Sequence, residues 1–192
     1  MSPQELIATE IKWELTRGEV DKVSARLTDQ GFTPAREEWI EDFYIQWTES
    51  PQGGKDFVRL RKIDETRHIL SRKYWIQNTK GQWVRTEDES PLTPEEFELK
   101  FQESSNYLST IKKRQNYSGI YHNRNYSVAL DTMEIPDGYL YFIEAETLSH
   151  PDEYETIRQG IVDWYIQGLK LSSRQDTRCM LELMERMAWP AF

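Results

Sequence analysis

The sequence predicts an α+β fold of about eight antiparallel strands with three or four helices. Short runs rich in aromatic and β-branched residues recur along the 192 residues, separated by turns containing Gly or Pro. Only a few segments place apolar residues at helical spacing. No repeat, low-complexity tract or Pro/Ser linker divides the chain, so residues 1–192 read as one domain.

The elements follow in order. Segment 5–17 alternates apolar and polar residues and reads as a strand. Val20, Val23 and Leu27 then recur at helical spacing, and Gly31 stops that helix. Segments 39–49 and 55–64 are aromatic and β-branched, with Pro51-Gln52-Gly53-Gly54 as a hairpin turn between them. Segments 67–77 and 82–90 form a second hairpin around Thr79-Lys80-Gly81. Thr93-Pro94-Glu95-Glu96 supplies an N-cap, a Pro at the first helical position and an acidic first turn. Strands follow at 108–117, 124–135 and 138–147, the last two joined by Pro136-Asp137-Gly138. Tyr154, Ile157, Ile161 and Tyr165 mark a helix with one apolar face. Met180, Leu183, Met184 and Met187 mark a last helix near 174–187.

Composition narrows the function. There are 24 Lys and Arg against 33 Asp and Glu, a formal net charge of −9. A nucleic-acid partner is not expected, because a duplex is repelled at long range. A single cysteine, Cys179, excludes a disulfide framework and a Cys-based zinc site. His68, His122 and His150 show no metal-ligand spacing, and neither a P-loop nor a G-x-S-x-G elbow occurs. No apolar run has transmembrane length and no signal peptide is recognisable, so a soluble cytoplasmic protein is the expectation.

The charge pattern on the strands carries the functional reading. Residues two apart on a strand point the same way. Glu10, Lys12 and Glu14 therefore share a face, opposite Ile11, Trp13 and Leu15. So do Arg59 and Arg61, Ser71 and Lys73, and the row Arg85, Glu87 and Glu89. Lys112 and Arg114, Ala129 and Asp131, and Glu144 and Glu146 complete the set. One such row is an ordinary solvated face, but seven opposite large apolar residues are not. If the strands curl into a barrel with their apolar faces outward under helices, the rows line the lumen. Charges there are costly unless they pair or hold a ligand. A polyphosphate with a divalent metal needs both signs at once. Arg and Lys bind its oxygens, and clustered carboxylates hold Mg²⁺ or Mn²⁺.

Short motifs in order along the chain resemble the CYTH superfamily, the triphosphate tunnel metalloenzymes. Glu10-Ile11-Lys12 matches most of the E-x-E-x-K signature, with Ala8 where its first Glu stands. Asp42-Phe43-Tyr44 resembles the D-x-Y strand, with Gln46 where an acidic residue often follows. Val58-Arg59-Leu60-Arg61 resembles L-R-x-R, Ser71-Arg72-Lys73 T-x-K, and Arg85-Thr86-Glu87 R-x-E. Lys112-Lys113-Arg114 with Tyr117 resembles K-x-R-x-x-Y, Leu130-Asp131 L-D, and Glu144-Ala145-Glu146 the closing E-x-E. The resemblance implies an eight-stranded antiparallel barrel forming a tunnel.

It also implies metal-dependent hydrolysis of a triphosphate: inorganic, nucleoside or thiamine triphosphate. Lys12, Arg59, Arg61, Lys73, Arg85, Lys112 and Arg114 would bind the phosphates. Glu10, Asp131, Glu144 and Glu146 would hold Mg²⁺ or Mn²⁺, with Glu87 assisting. Tyr44 with Lys73 is the candidate catalytic pair that orients water. The expected partner is a small-molecule triphosphate, with neither nucleic acid nor membrane, and a homodimer is compatible with the sequence. Three alternatives stay open: cyclisation of ATP, as in class IV adenylate cyclases; a nucleotide- or polyphosphate-binding module of weak turnover; and a barrel for an apolar ligand, which the charged rows disfavour. Phe43, Tyr44, Trp75, Tyr117 and Tyr126 read first as β-formers, with one or two available to stack on a base or thiamine ring.

Overall fold

A computed structural model describes residues 6–50, 55–104, 107–135 and 138–171. The turns predicted at 51–54 and 136–137, and the helix predicted near 174–187 with Cys179, lie outside the described residues. The strands are β1 (Ile7–Leu15), β2 (Thr33–Glu49), β3 (Lys55–Ile63), β4 (Arg67–Gln77), β5 (Trp83–Leu92), β6 (Leu108–Tyr121), β7 (Arg124–Ile135) and β8 (Gly138–Ser149). The helices are α1 (Arg17–Asp29), α2 (Pro94–Gln102) and α3 (Tyr154–Asp163). A wide turn, Trp164–Gly168, prolongs α3. No helix among the described residues is long and apolar enough to cross a membrane.

All eight strands join one antiparallel sheet in the order β1-β8-β7-β6-β2-β3-β4-β5. The sheet curls into a strongly bent half-barrel. Its two edges approach each other at a seam, where Ile7 of β1, Val84 of β5 and Tyr154 of α3 cluster with Ile76 of β4. Strand β2 starts six residues before the predicted segment. The reason is its partner: β6 runs on to Tyr121, so Thr33 and Pro34 find ladder positions opposite Ser118 and Tyr117.

The apolar side of the alternation forms the main core on the convex face. Ile11 and Trp13 of β1, Leu130 of β7 and Ile143 of β8 pack against Val23 and Leu27 of α1 and Ile157 and Ile161 of α3. Trp164 stacks on Phe32 with centroids 5.2 Å apart, and its indole N–H donates to Gln30 at 2.8 Å. Helix α1 starts at a capping box, in which the Thr16 N–H donates to Glu19 at 2.8 Å. The predicted cap of α2 forms likewise: the Glu96 N–H donates to the Thr93 hydroxyl at 3.2 Å. Helix α2 covers another part of the convex face through Phe97 and Phe101 on Phe43.

One contact has a tight tolerance. A Cβ on Gly119 of β6 would lie 2.6 Å from the Phe32 ring, which Trp164 pins from the far side. Gly119→Ala is expected to destabilise the fold by about 1–3 kcal/mol, the usual cost of overpacking. A denaturant midpoint that does not move would contradict this packing.

Candidate functional site: a charged lumen

The charged rows face one interior, the concave side of the curled sheet. Register sets them there: Glu10 pairs with Glu146, Lys12 with Glu144, Lys73 with Glu87, Tyr44 with Arg59 and Arg114 with Asp131. Asp42, Arg59, Arg61, Lys112 and Asp131 are buried although charged. Beyond them at one end lies an apolar plug of Tyr44, Phe57, Leu108, Met133 and Phe142.

Two buried aspartates organise the cations. Asp42, 1% exposed, accepts from Arg61 Nε at 2.6 Å and Nη2 at 3.1 Å. Arg59 lies 3.5 Å and Lys112 3.8 Å from the same carboxylate. Burial alone would raise the Asp42 pKa; Arg59, Arg61 and Lys112 overcome it and hold it well below the usual carboxylate range. Asp131 takes Arg114 in a fork, 2.6 Å from Nε and 2.7 Å from Nη2, and Lys112 at 2.9 Å. Against the upward push of burial, Arg114 and Lys112 lower its pKa to about 2. Burial and the neighbouring Arg114 depress Lys112 to about 8, against Asp131 and Asp42. Asp42 was not among the predicted site residues. Its signal was present in the sequence, because it shares a face with Tyr44 at period two.

The remaining predicted residues take these places. Arg59 also donates to Ser71 at 3.0 Å and to Glu87 at 2.8 Å. Lys73 is paired with Glu10, joining β4 to β1 over the seam, and lies 3.6 Å from Glu87. Glu144 accepts from Arg114 at 2.9 Å. Lys12 is the one cation of the predicted set with no ion pair among the described residues; its ammonium lies 5.8 Å from the centre of the Phe142 ring. Arg85 stands apart, 3.4 Å from Asp56 and over the Phe57 and Trp75 rings. Tyr44 packs edge-on against Phe57 at 5.2 Å, within the plug. Of the aromatics weighed for stacking, Phe43 lies under α2, while Tyr117 and Tyr126 belong to the convex core.

The donor chemistry suits a hard dication at the β1–β8 end. Glu146 makes no direct ion pair among the described residues, although Lys73 acts on it from nearby. Burial and the charge of Glu144 push its pKa above the ordinary value. Positive charge placed beside Glu144 and Glu146 relieves that repulsion. No three carboxylate or imidazole groups among the described residues already converge as ligands. Glu10, Glu87, Asp131 and Glu144 are instead turned onto Lys and Arg. Ala8 lies one step outward from Glu10 on the same face, opposite Leu148.

No protein-family model matches the sequence, and no curated protein matches it. Solved structures do match. The PH1819 protein of Pyrococcus horikoshii OT3 is 21% identical, with a TM-score of 0.65, covering 94% of this chain and 99% of its own. A candidate adenylate cyclase of Vibrio parahaemolyticus is 15% identical, with a TM-score of 0.65, covering 95% and 99%. A candidate adenylyl cyclase of Hippeastrum with a dominant triphosphatase activity is 15% identical, with a TM-score of 0.62, covering 95% and 96%. At such identities the likeness establishes the fold, and the chain has the triphosphate-tunnel fold.

Two outcomes test the electrostatics. Asp42→Asn strands buried cations beside a neutral amide and is expected to destabilise by about 3–5 kcal/mol. Glu146→Gln has the opposite sign. A carboxyl with a raised folded pKa binds its proton more tightly in the folded state, so ionising it at neutral pH opposes folding. The Gln variant should melt higher than wild type at pH 7, with the gain vanishing below the unfolded-state value near about 4.3. Equal melting temperatures at pH 7 would contradict this.

Proposed function

We propose that the protein binds a small-molecule triphosphate in the lumen and hydrolyses it with a divalent metal. One observation carries the reading: Arg59, Arg61, Lys73, Lys112 and Arg114 are gathered on one concave face and held in place by carboxylates beneath them. The lumen is not an open electropositive cleft. Asp42 and Glu38 add to its carboxylates as Lys55 and Arg67 add to its cations, so the two signs nearly balance. A polyanion therefore needs extra positive charge to enter, and the repelled pair Glu144 and Glu146 is where that charge is welcomed. When bound, Mg²⁺ or Mn²⁺ would supply charge neutralisation and Lewis-acid polarisation of phosphoryl oxygens.

This chain's own residues would divide the work. Arg59, Arg61 and Arg114 present forks matched to phosphate oxygens. Lys12, without an ion pair, can engage phosphate at no cost in broken pairing. Lys73 lies between Glu10 and Glu87, carboxylates that would help to hold the cation, and would itself contact the substrate phosphates. Tyr44 with Lys73 would orient the attacking water. Positioning and electrostatics of this kind supply most of the acceleration in phosphoryl transfer. A second reading, a binding module of weak turnover, is favoured by Ala8, an uncharged residue just outside Glu10.

A panel of tripolyphosphate, ATP and thiamine triphosphate with Mg²⁺ or Mn²⁺ tests the proposal. Orthophosphate release abolished by EDTA is expected. Glu144→Gln should lower kcat by about 10²-fold or more, whereas Lys12→Ala should mainly raise KM. Equal turnover in excess EDTA would overturn the metal; pyrophosphate with cyclic AMP would mark cyclisation. Binding without product would establish the module.

A further inference from the structure

The turn that prolongs α3 is wider than an α-helical turn. The Leu169 N–H donates to the Trp164 carbonyl, five residues back, at 2.9 Å. Such turns are rare and recur at functional sites. Several contacts build this one. The Gln30 amide donates to the Gly168 carbonyl at 3.0 Å, and a Cβ on Gly168 would collide with the Trp164 ring. Trp164 stacks on both Phe32 and Tyr121. What the turn holds in place is Tyr165, fully buried and edge-on to Trp13 with ring centres 5.6 Å apart. Its hydroxyl donates to the Ile11 backbone carbonyl at 2.8 Å, and the Ala145 backbone N–H bears on the same oxygen. Ile11 and Ala145 are direct partners in the β1–β8 ladder. Their sequence neighbours are Glu10 and Lys12 on β1 and Glu144 and Glu146 on β8, all turned to the lumen.

We propose that Tyr165 is a positioning residue for the lumen. Through Ile11 and Ala145 it fixes the spacing of the pairs Glu10–Glu146 and Lys12–Glu144, and so the geometry offered to a divalent cation. This inference rests on the metal-dependent triphosphate reading above. One hydroxyl grips, from the core side, the backbone pair from which all four side chains project. Packing alone does not account for it, because a Phe would fill the same space, and a buried hydroxyl is costly unless bonded. Burial and the charge of Glu144 hold its pKa well above that of an ordinary tyrosine, so it remains a donor at neutral pH. The strand it holds most needs holding. β1 is an edge of the sheet, with β8 as its one ladder partner among the described residues. Mg²⁺ demands near-octahedral geometry, so small shifts of its carboxylates weaken it strongly.

Tyr165→Phe keeps the ring and removes only the hydroxyl. Ile157→Val, a packing change on α3 in the same core, is the control for lost stability. Circular dichroism and melting curves confirm that each variant folds. The readout is the Mg²⁺ concentration that half-saturates turnover or binding of tripolyphosphate, ATP or thiamine triphosphate. It is expected to rise about tenfold in Tyr165→Phe and to stay at the wild-type value in Ile157→Val. KM for the triphosphate at saturating Mg²⁺ should move less, because Arg59, Arg61 and Arg114 stand on other strands. Without ligand, amide hydrogen exchange in segments 6–15 and 138–149 should quicken in Tyr165→Phe. Gly168→Ala, which displaces the turn through Trp164, should act in the same direction. A functional wild type with an unchanged Mg²⁺ requirement in Tyr165→Phe overturns this inference and leaves the triphosphate reading standing. So does an equal rise in Ile157→Val. A wild type that neither hydrolyses nor binds any of the three substrates overturns that reading, and this inference with it.

Discussion

The structure depends on how a curled sheet keeps many charges on its inner face. An unpaired ion in such a place costs several kcal/mol, and pairing recovers this only when the geometry is good. Asp42 and Asp131 meet that condition. Each is a short, stiff side chain on a central strand, and each takes a fork or several cations at bonding distance. Their arginines and Lys112 are thereby fixed in direction before any ligand arrives. A buried network of this kind contributes little net stability over an apolar core. What it does supply is orientation, which the proposed phosphate site would need.

The same constraint explains the division of labour between the two faces. The lumen cannot serve as the hydrophobic core, so the core moves outside, beneath α1 and α3. Ile11, Trp13, Leu130 and Ile143 then hold the strands from the convex side while Lys12, Asp131 and Glu144 face inward from the same strands. An apolar cluster of Tyr44, Phe57, Met133 and Phe142 adjoins the charged layer at one end. It lowers the local dielectric next to the charged layer, which strengthens every ion pair there and raises the cost of leaving one unmade. At the far end of the same row from Phe142, burial and the charge of Glu144 hold the Glu146 pKa above its ordinary value.

Much of the fold was legible because period-two alternation is a strong local signal. Glu10-Ile11-Lys12 and Val58-Arg59-Leu60-Arg61 state their faces without help from the rest of the chain. The caps at Thr93 and the stop at Gly31, which adopts a φ of 84°, were equally local. The start of β2 was not. Residues 33–38 have no alternation of their own, and only the long partner β6 makes them a strand. In the site, the sequence indicates which residues share a face, but not which pair. Arg85 lies on the lumen side, a full row outward from Glu87, yet ends on Asp56 at the start of β3. Asp42 was quoted in a motif but given no site role, for the converse reason: its neighbours on that face of β2 are Ile40 and Tyr44, and the sequence does not show the three cations that converge on it.

A near balance of charge in the lumen has a consequence for how such a site can be selective. A purely cationic cleft binds any polyanion, with affinity set by salt. If the lumen is the triphosphate site proposed above, its carboxylates must first be given a new partner, so a bare anion would be disfavoured and an anion accompanied by a dication favoured. Specificity then comes from the requirement that both signs be satisfied together, which is a form of discrimination against wrong ligands. Ala8 bears on the same balance. It leaves Glu10 as the outermost acidic residue of its row on β1, opposite Glu146, with Leu148 beyond. The carboxylate field at that end comes from Glu10, Glu144 and Glu146, with Glu87 and Glu89 also acting on Glu146.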